Sequence, residues 1–296
     1  MNNGVEAREL YESLMECEGE PSTRNALDRW LERAGGGYRS TLASAGEYAT
    51  RWWEVVESEP TGQFLDRELY ALNRVSDILL YGYQPPRADG GGVQPWLGLP
   101  VAGYRAFFAD LGMTPFDGTG PFDPFLHEIV EVEQADDPDA PIEVTEVFWP
   151  GLMLGQLLYA RAGVRIRAGR RHAEAGVADR FPLYWTFRRR ARPVHDRSHG
   201  WGYNSGWGTE FRLDYRTPHG DRLNVTGDCP IDGNPALPAE HPLNLSPEER
   251  ALTPAERRDL LRNRTLLRTP EAIGALAGTD RWADDLIPYD WRLPEA

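Results

Sequence analysis

The chain has 296 residues, 41% hydrophobic and 26% charged, a globular composition with enough length for one large domain or two small ones. All 32 of its basic residues are arginine, which excludes chemistry that needs an ε-amine: the phosphate-binding lysine of a P-loop NTPase, the internal aldimine of a pyridoxal enzyme, the third-strand lysine of a protein kinase. A formal net charge of −14 opposes nucleic acid and anionic membrane surfaces as partners.

The opening residues, MNNGVEARELYESLMEC, are acidic and amphipathic, and no apolar run approaches the length of a membrane span. A cytoplasmic protein is expected, with Cys17 and Cys229 as reduced thiols. Ala7, Leu10, Tyr11 and Leu14 recur at helical spacing. Leu27, Trp30, Leu31 and Ala34 do so again and stop at the glycines 35–37. A third helix is expected from about Thr41 to Glu57, with Trp52 and Trp53, and a fourth from Thr61, carrying Leu65, Leu69, Leu72, Val75, Ile78 and Leu79. The Pro- and Gly-rich stretch 84–96 breaks regular structure and makes 84–100 a linker or a lid, before a short helix over Val101 to Leu111.

The period then falls to two. HEIVEVEQ (127–134) and IEVTEVFW (142–149) flank an acidic turn and predict a β-hairpin. Strand-like runs follow at 157–169 and 181–190, and 209–226 predicts a second hairpin turning at Pro218 to Asp221. Thr253, Pro254 and Glu256 mark the start of a final helix through Leu260 and Leu261. The expected architecture is α+β: a helical N-terminal layer, a central antiparallel sheet of hairpins and a helical C-terminal tail. It forms a single domain, 1–296, mainly helical over 1–112, mainly β over 113–226, and loop and helical tail over 227–296.

Charge is segregated along the β part, with eight carboxylates between Glu128 and Glu146 and ten arginines between Arg161 and Arg192. Cross-strand pairing of acidic with basic residues accounts for this. The functional alternative is an anion clamp, from Arg165 and Arg167 on one strand face or from Arg188 to Arg190, since arginine's planar fork suits carboxylates and phosphates.

The densest constellation is the tryptophan-rich loop HDRSHGWGYNSGWGTEF, 195–211, which follows neither helical nor strand period. Trp201 and Trp207 offer flat apolar walls, and Asn204 offers a donor and an acceptor to a substrate. The competing interpretation is a structural loop anchored by its tryptophans. His195 and His199 stand four apart, the spacing by which two imidazoles share a metal on a helical turn. His127 and Glu131 stand two alternations apart on one strand, so both are expected on one face. Pooled, His195, His199 and Glu131 form a two-histidine, one-carboxylate set for non-haem iron, with zinc next, and His127 and Asp196 are the candidate catalytic acid/base groups. The His-x3-His element is also similar, over five residues, to one in histidine-ligated haem enzymes that hydroxylate aromatic amino acids. Some of these carry cysteine where His199 stands, so a thioether to haem is not expected, and five residues name no family. His172, His219 and His241 are expected on exposed or structural loops. No Gly-x-Ser-x-Gly elbow supports a serine hydrolase, and no GxGxxG follows a strand.

Two functions of different class follow as expectations. One is a cytoplasmic small-molecule enzyme, an iron-dependent (non-haem or haem) oxidoreductase of a planar or aromatic substrate whose anionic group is held by an arginine from 165–190, Arg165 and Arg167 first. The other is a non-catalytic acidic protein that neutralises a basic protein partner.

Overall fold

The computed structural model describes residues 6–48, 60–86, 97–180, 189–190, 213–225, 230–245, 247, 250 and 253–262. The first helical stripe forms α1 (Ala7–Met15), which buries Ala7, Leu10, Tyr11 and Leu14. The second forms α2 (Gly19–Ala43), interrupted at Gly35, where φ 59° and ψ −170° leave the helical region, and resumed at once through Ala43. Thr41 therefore lies in the last turn of α2 and does not begin a new helix. The rest of the expected third helix, from residue 49, lies outside the described residues.

The fourth stripe forms α3 (Pro60–Leu80), and where one apolar stripe was expected to be buried, every residue from Glu68 to Leu80 is buried. Besides Leu65, Leu69, Leu72, Val75, Ile78 and Leu79, the helix buries Glu68, Asn73, Arg74, Ser76 and Asp77. The reason is its central position: α3 packs against α1, α2 and the strand β5 (Leu157–Ala160). Each buried charge on α3 accordingly meets a group from another element. Glu68 accepts from the amide of Ala7 at 2.8 Å and from the hydroxyl of Tyr38 at 2.5 Å. The guanidinium of Arg74 lies 4.5 Å over the ring of Tyr11. Leu97 and Leu99 close this layer ahead of α4 (Val101–Asp110), tied by bonds from Thr23 to the Leu97 carbonyl and from Tyr83 to that of Leu99.

The remaining strands are β1 (Thr114–Phe116), β2 (His127–Gln134), β3 (Glu143–Trp149), β4 (Gly151–Leu154), β6 (Ala162–Ala168), β7 (Tyr215–Thr217) and β8 (Gly220–Arg222). They form two sheets where one was expected. An antiparallel sheet runs β1-β4-β5-β7-β8, and a mixed sheet runs β2-β6-β3. The β7–β8 hairpin matches the expected second hairpin, closing at Thr217 and Gly220. The β4–β5 hairpin was not anticipated.

The first expected hairpin is corrected. The strands β2 and β3 are not neighbours; β6 lies between them, parallel to β2 and antiparallel to β3. Charge supplies the physical reason. Pairing 127–134 directly with 142–149 would set glutamates opposite glutamates, which destabilises a ladder. With β6 inserted, Glu131 and Glu146 flank Arg165, and Glu133 and Glu143 flank Arg167. On its other face β6 buries Ala162, Val164, Ile166 and Ala168. The last three join Ile129, Ala173 and Ala178 in a small core distinct from the main one under the helices. The final helix, α5, runs Pro254–Arg262 as expected from Thr253 and Pro254. Among the described residues, no helix is long and apolar enough to cross a membrane.

Candidate functional site

A cavity of about 850 Å³ opens where the β1–β2 connection meets β4, β7 and α5. The connection, DGTGPFDPFL over 117–126, is ordered from within by His127. Its Nδ1 accepts the amide of Asp123 at 2.9 Å, which leaves the proton on Nε2, 3.1 Å from the carbonyl of Gly118. Phe122 stacks on the imidazole with centroids 5.6 Å apart. Gly118 permits this path: its φ is +66°, and a Cβ there would lie 2.4 Å from that of Ala162.

The apolar wall of the cavity includes Phe116, Phe122, Leu126 and Met153. Its polar groups include Thr119, Asp123, Arg216 and Arg262. Arg216 is held side-on by Asp221, through Nε at 2.8 Å and one terminal nitrogen at 3.0 Å, while its other terminal nitrogen reaches Asp123 at 2.7 Å. Its guanidinium stacks 4.3 Å over Phe125. Burial pushes the Asp123 carboxyl up, but bonds from Arg216 and from the Phe125 amide outweigh it and hold the group below its usual range. Asp123 is therefore an anion at neutral pH, and it is already satisfied.

The residues singled out from the sequence fall differently. His127 lines the cavity, yet it is not a free base. Burial lowers its pKa, outweighing the Gly118 carbonyl and the Asp123 charge, and its one lone pair is engaged by a backbone amide. Glu131 is not on the same face. The register of β2 skips Val130, so His127 and Ile129 point one way and Glu131 the other, where it meets Arg165 at 2.7 Å. His127 and Glu131 thus do not fit one iron site. Among the described residues, no group of three or more His, Cys, Asp and Glu is placed to hold a metal.

Arg165 and Arg167 are committed to the sheet. Arg165 bridges Glu131 and Glu146 and stacks on Phe148, and Arg167 lies 3.7 Å from Glu133. Arg189 is buried between Asp77 at 2.7 Å and Glu128 at 2.7 and 2.9 Å, with the Trp149 ring 5.3 Å from its guanidinium. Arg190 donates to the carbonyls of Tyr81, Gln84 and Pro85. Arg165, Arg189 and Arg190 thus spend donors on partners within the chain, whereas Arg167 stays half exposed beside Glu133. Asp196, His195, His199, Trp201, Asn204, Trp207 and Arg188 lie outside the described residues.

Sequence reasoning passed over Phe116, Phe122, Asp123, Arg216 and Arg262. The signal available was the aperiodic run FDGTGPFDP, 116–124, whose glycine and aromatic content resembles that of 195–211. Arg216 and Arg262 carried no local signal, because folding alone brings them to that loop. The chain matches no protein-family model, no curated protein and no solved structure, so its function rests on its own residues.

Proposed function

We propose that the protein is a cytoplasmic small-molecule enzyme that takes a planar, partly apolar organic compound into the cavity beside the 117–126 connection. The observation that carries this is the cavity itself. At about 850 Å³ it is of ligand-binding size, and phenylalanine, leucine and methionine walls surround a few convergent charged groups. The oxidative, iron-dependent reaction proposed from the sequence rests on His195 and His199, with a carboxylate other than Glu131. The acidic-partner alternative has the net charge of −14 in its favour. Its support is weakened by the β2-β6-β3 sheet, where Arg165 and Arg167 stand opposite the glutamates.

The binding step is tested with N-phenyl-1-naphthylamine, an uncharged dye that fluoresces in apolar surroundings. Saturable binding at one site per chain is expected, with loss of binding in Thr119→Trp, which fills the cavity from an exposed lining position. Binding that is absent, or unchanged in that variant, overturns the assignment. The iron step is tested by elemental analysis: one iron per chain in the native protein and none in the His195→Ala/His199→Ala double variant. Iron-free native protein removes the oxidation and leaves the binding proposal standing.

A further inference from the structure

We infer that the cavity selects a compound with an anionic group, such as an aromatic carboxylate or sulfonate, and that Arg262 receives that group; the inference rests on the cavity being the binding site. It follows from asking which polar groups of the cavity are already committed. Every hydrogen-bonding nitrogen of Arg216 faces Asp123 or Asp221. Asp123 is satisfied by Arg216 and by the amide of Phe125, and Asp117 pairs with Arg105. Both nitrogens of His127 are engaged by the backbone. A cationic ligand would therefore meet carboxylates that already have partners.

Arg262 differs. It is exposed, it lines the cavity from α5, and among the described residues it makes no hydrogen bond or ion pair. Its field reaches Asp123, on the same cavity, and helps keep that group ionised. Its guanidinium offers five donors in a planar fork, the geometry that matches two oxygens of one carboxylate or sulfonate. The Thr119 hydroxyl lines the same space and is likewise without a hydrogen bond among the described residues. An anion on Arg262 leaves the planar remainder of the ligand to the apolar wall of Phe116, Phe122 and Met153.

The test compares two dyes of one ring skeleton on the full chain: 8-anilino-1-naphthalenesulfonate, an anion, and N-phenyl-1-naphthylamine, which lacks the sulfonate. In Arg262→Gln, the Kd of the sulfonate is expected to rise roughly tenfold, the size of one lost charge-assisted bond, while that of the neutral dye stays within about twofold. Added salt should weaken the sulfonate in the native protein and have less effect in the variant. Because Arg262 is exposed, the variant is expected to unfold at the native urea midpoint. If the sulfonate binds both proteins equally, or if both dyes weaken together, the inference is overturned while binding in the cavity stands. If neither dye binds the native protein, the cavity assignment itself falls.

Discussion

Glu68 sets a pH dependence whose sign and size follow from its surroundings. The carboxylate lies in the middle of α3 at 3% exposure, between the N-terminus of α1 and Tyr38 of α2. Burial raises its pKa from an ordinary 4.5 to about 7, against the lowering effect of bonds from Tyr38 and from the Ala7 amide; the like charges of Glu6 and Glu9 add to the rise. A carboxyl whose folded value is raised binds its proton more tightly in the folded state. Its contribution to stability is fully present below pH 4.5 and is lost as the pH climbs through 7. The span of 4.5 to about 7 corresponds to about 3 kcal/mol of lost stability at alkaline pH. Glu68→Gln isolates the effect. The amide oxygen accepts the same two hydrogen bonds without a charge to desolvate, so the variant should match the native protein within about 1 kcal/mol at pH 5. At pH 8.5 it should exceed the native protein by up to about 3 kcal/mol. Urea unfolding at pH 5, 7 and 8.5 measures both. Parallel pH profiles for the two proteins, or a variant destabilised equally at every pH, would refute the reasoning.

Other substitutions probe the cavity and the mixed sheet. Gly118→Ala should destabilise by about 2 kcal/mol or more, since a left-handed φ of +66° and a 2.4 Å approach to Ala162 both oppose a Cβ. The same change should weaken dye binding, because it displaces the carbonyl that holds His127; an unaffected melting temperature would contradict the packing described. Arg165→Ala should cost below about 1 kcal/mol, as expected for a surface pair, and Arg167→Ala less. Neither should alter the affinity for the anionic dye, and a loss there would return these arginines to the role of anion clamp.

The apolar stripes of α1, α2 and α3 were legible in the sequence because each helix needs one buried face, and a spacing of 3.6 reveals it. The burial of α3 on every side from Glu68 to Leu80 was not legible. Glu68, Arg74 and Asp77 look like solvent residues until Tyr38, Tyr11 and Arg189 arrive from elsewhere. The segregation of acidic and basic strands was visible, and so was their pairing, but proximity along the chain suggested the wrong strand order. Opposed charges in register override that proximity at Arg165 and Arg167. A period of two predicts shared faces only in an unbroken strand. The single extra residue Val130 therefore turned His127 and Glu131 to opposite faces of β2. The cavity escaped notice because Met153, Arg216 and Arg262 are distant from one another and from 116–127 in sequence.

The absence of lysine has a geometric counterpart at two places in the fold. Arg189 presents Nε and one terminal nitrogen to Glu128 and the other terminal nitrogen to Asp77, while Arg216 presents the same three atoms to Asp221 and Asp123. Each guanidinium thus binds one carboxylate side-on and a second end-on, which a single ammonium does not reproduce. The two sites differ in access to water. The Arg189 side chain is 5% exposed and that of Arg216 is 34% exposed. Arg189→Lys removes the side-on and end-on bonding from a buried triad and should cost about 3 kcal/mol, within the range for breaking a buried ion pair. Arg216→Lys allows water to supply the missing donors and should cost below about 1 kcal/mol. Urea midpoints for both variants decide the matter. Equal losses would mean that burial does not govern these ion triads, whereas a loss confined to Arg189 identifies the Trp149-covered site as the one that depends on the guanidinium, water making good the loss at the more exposed Arg216 site.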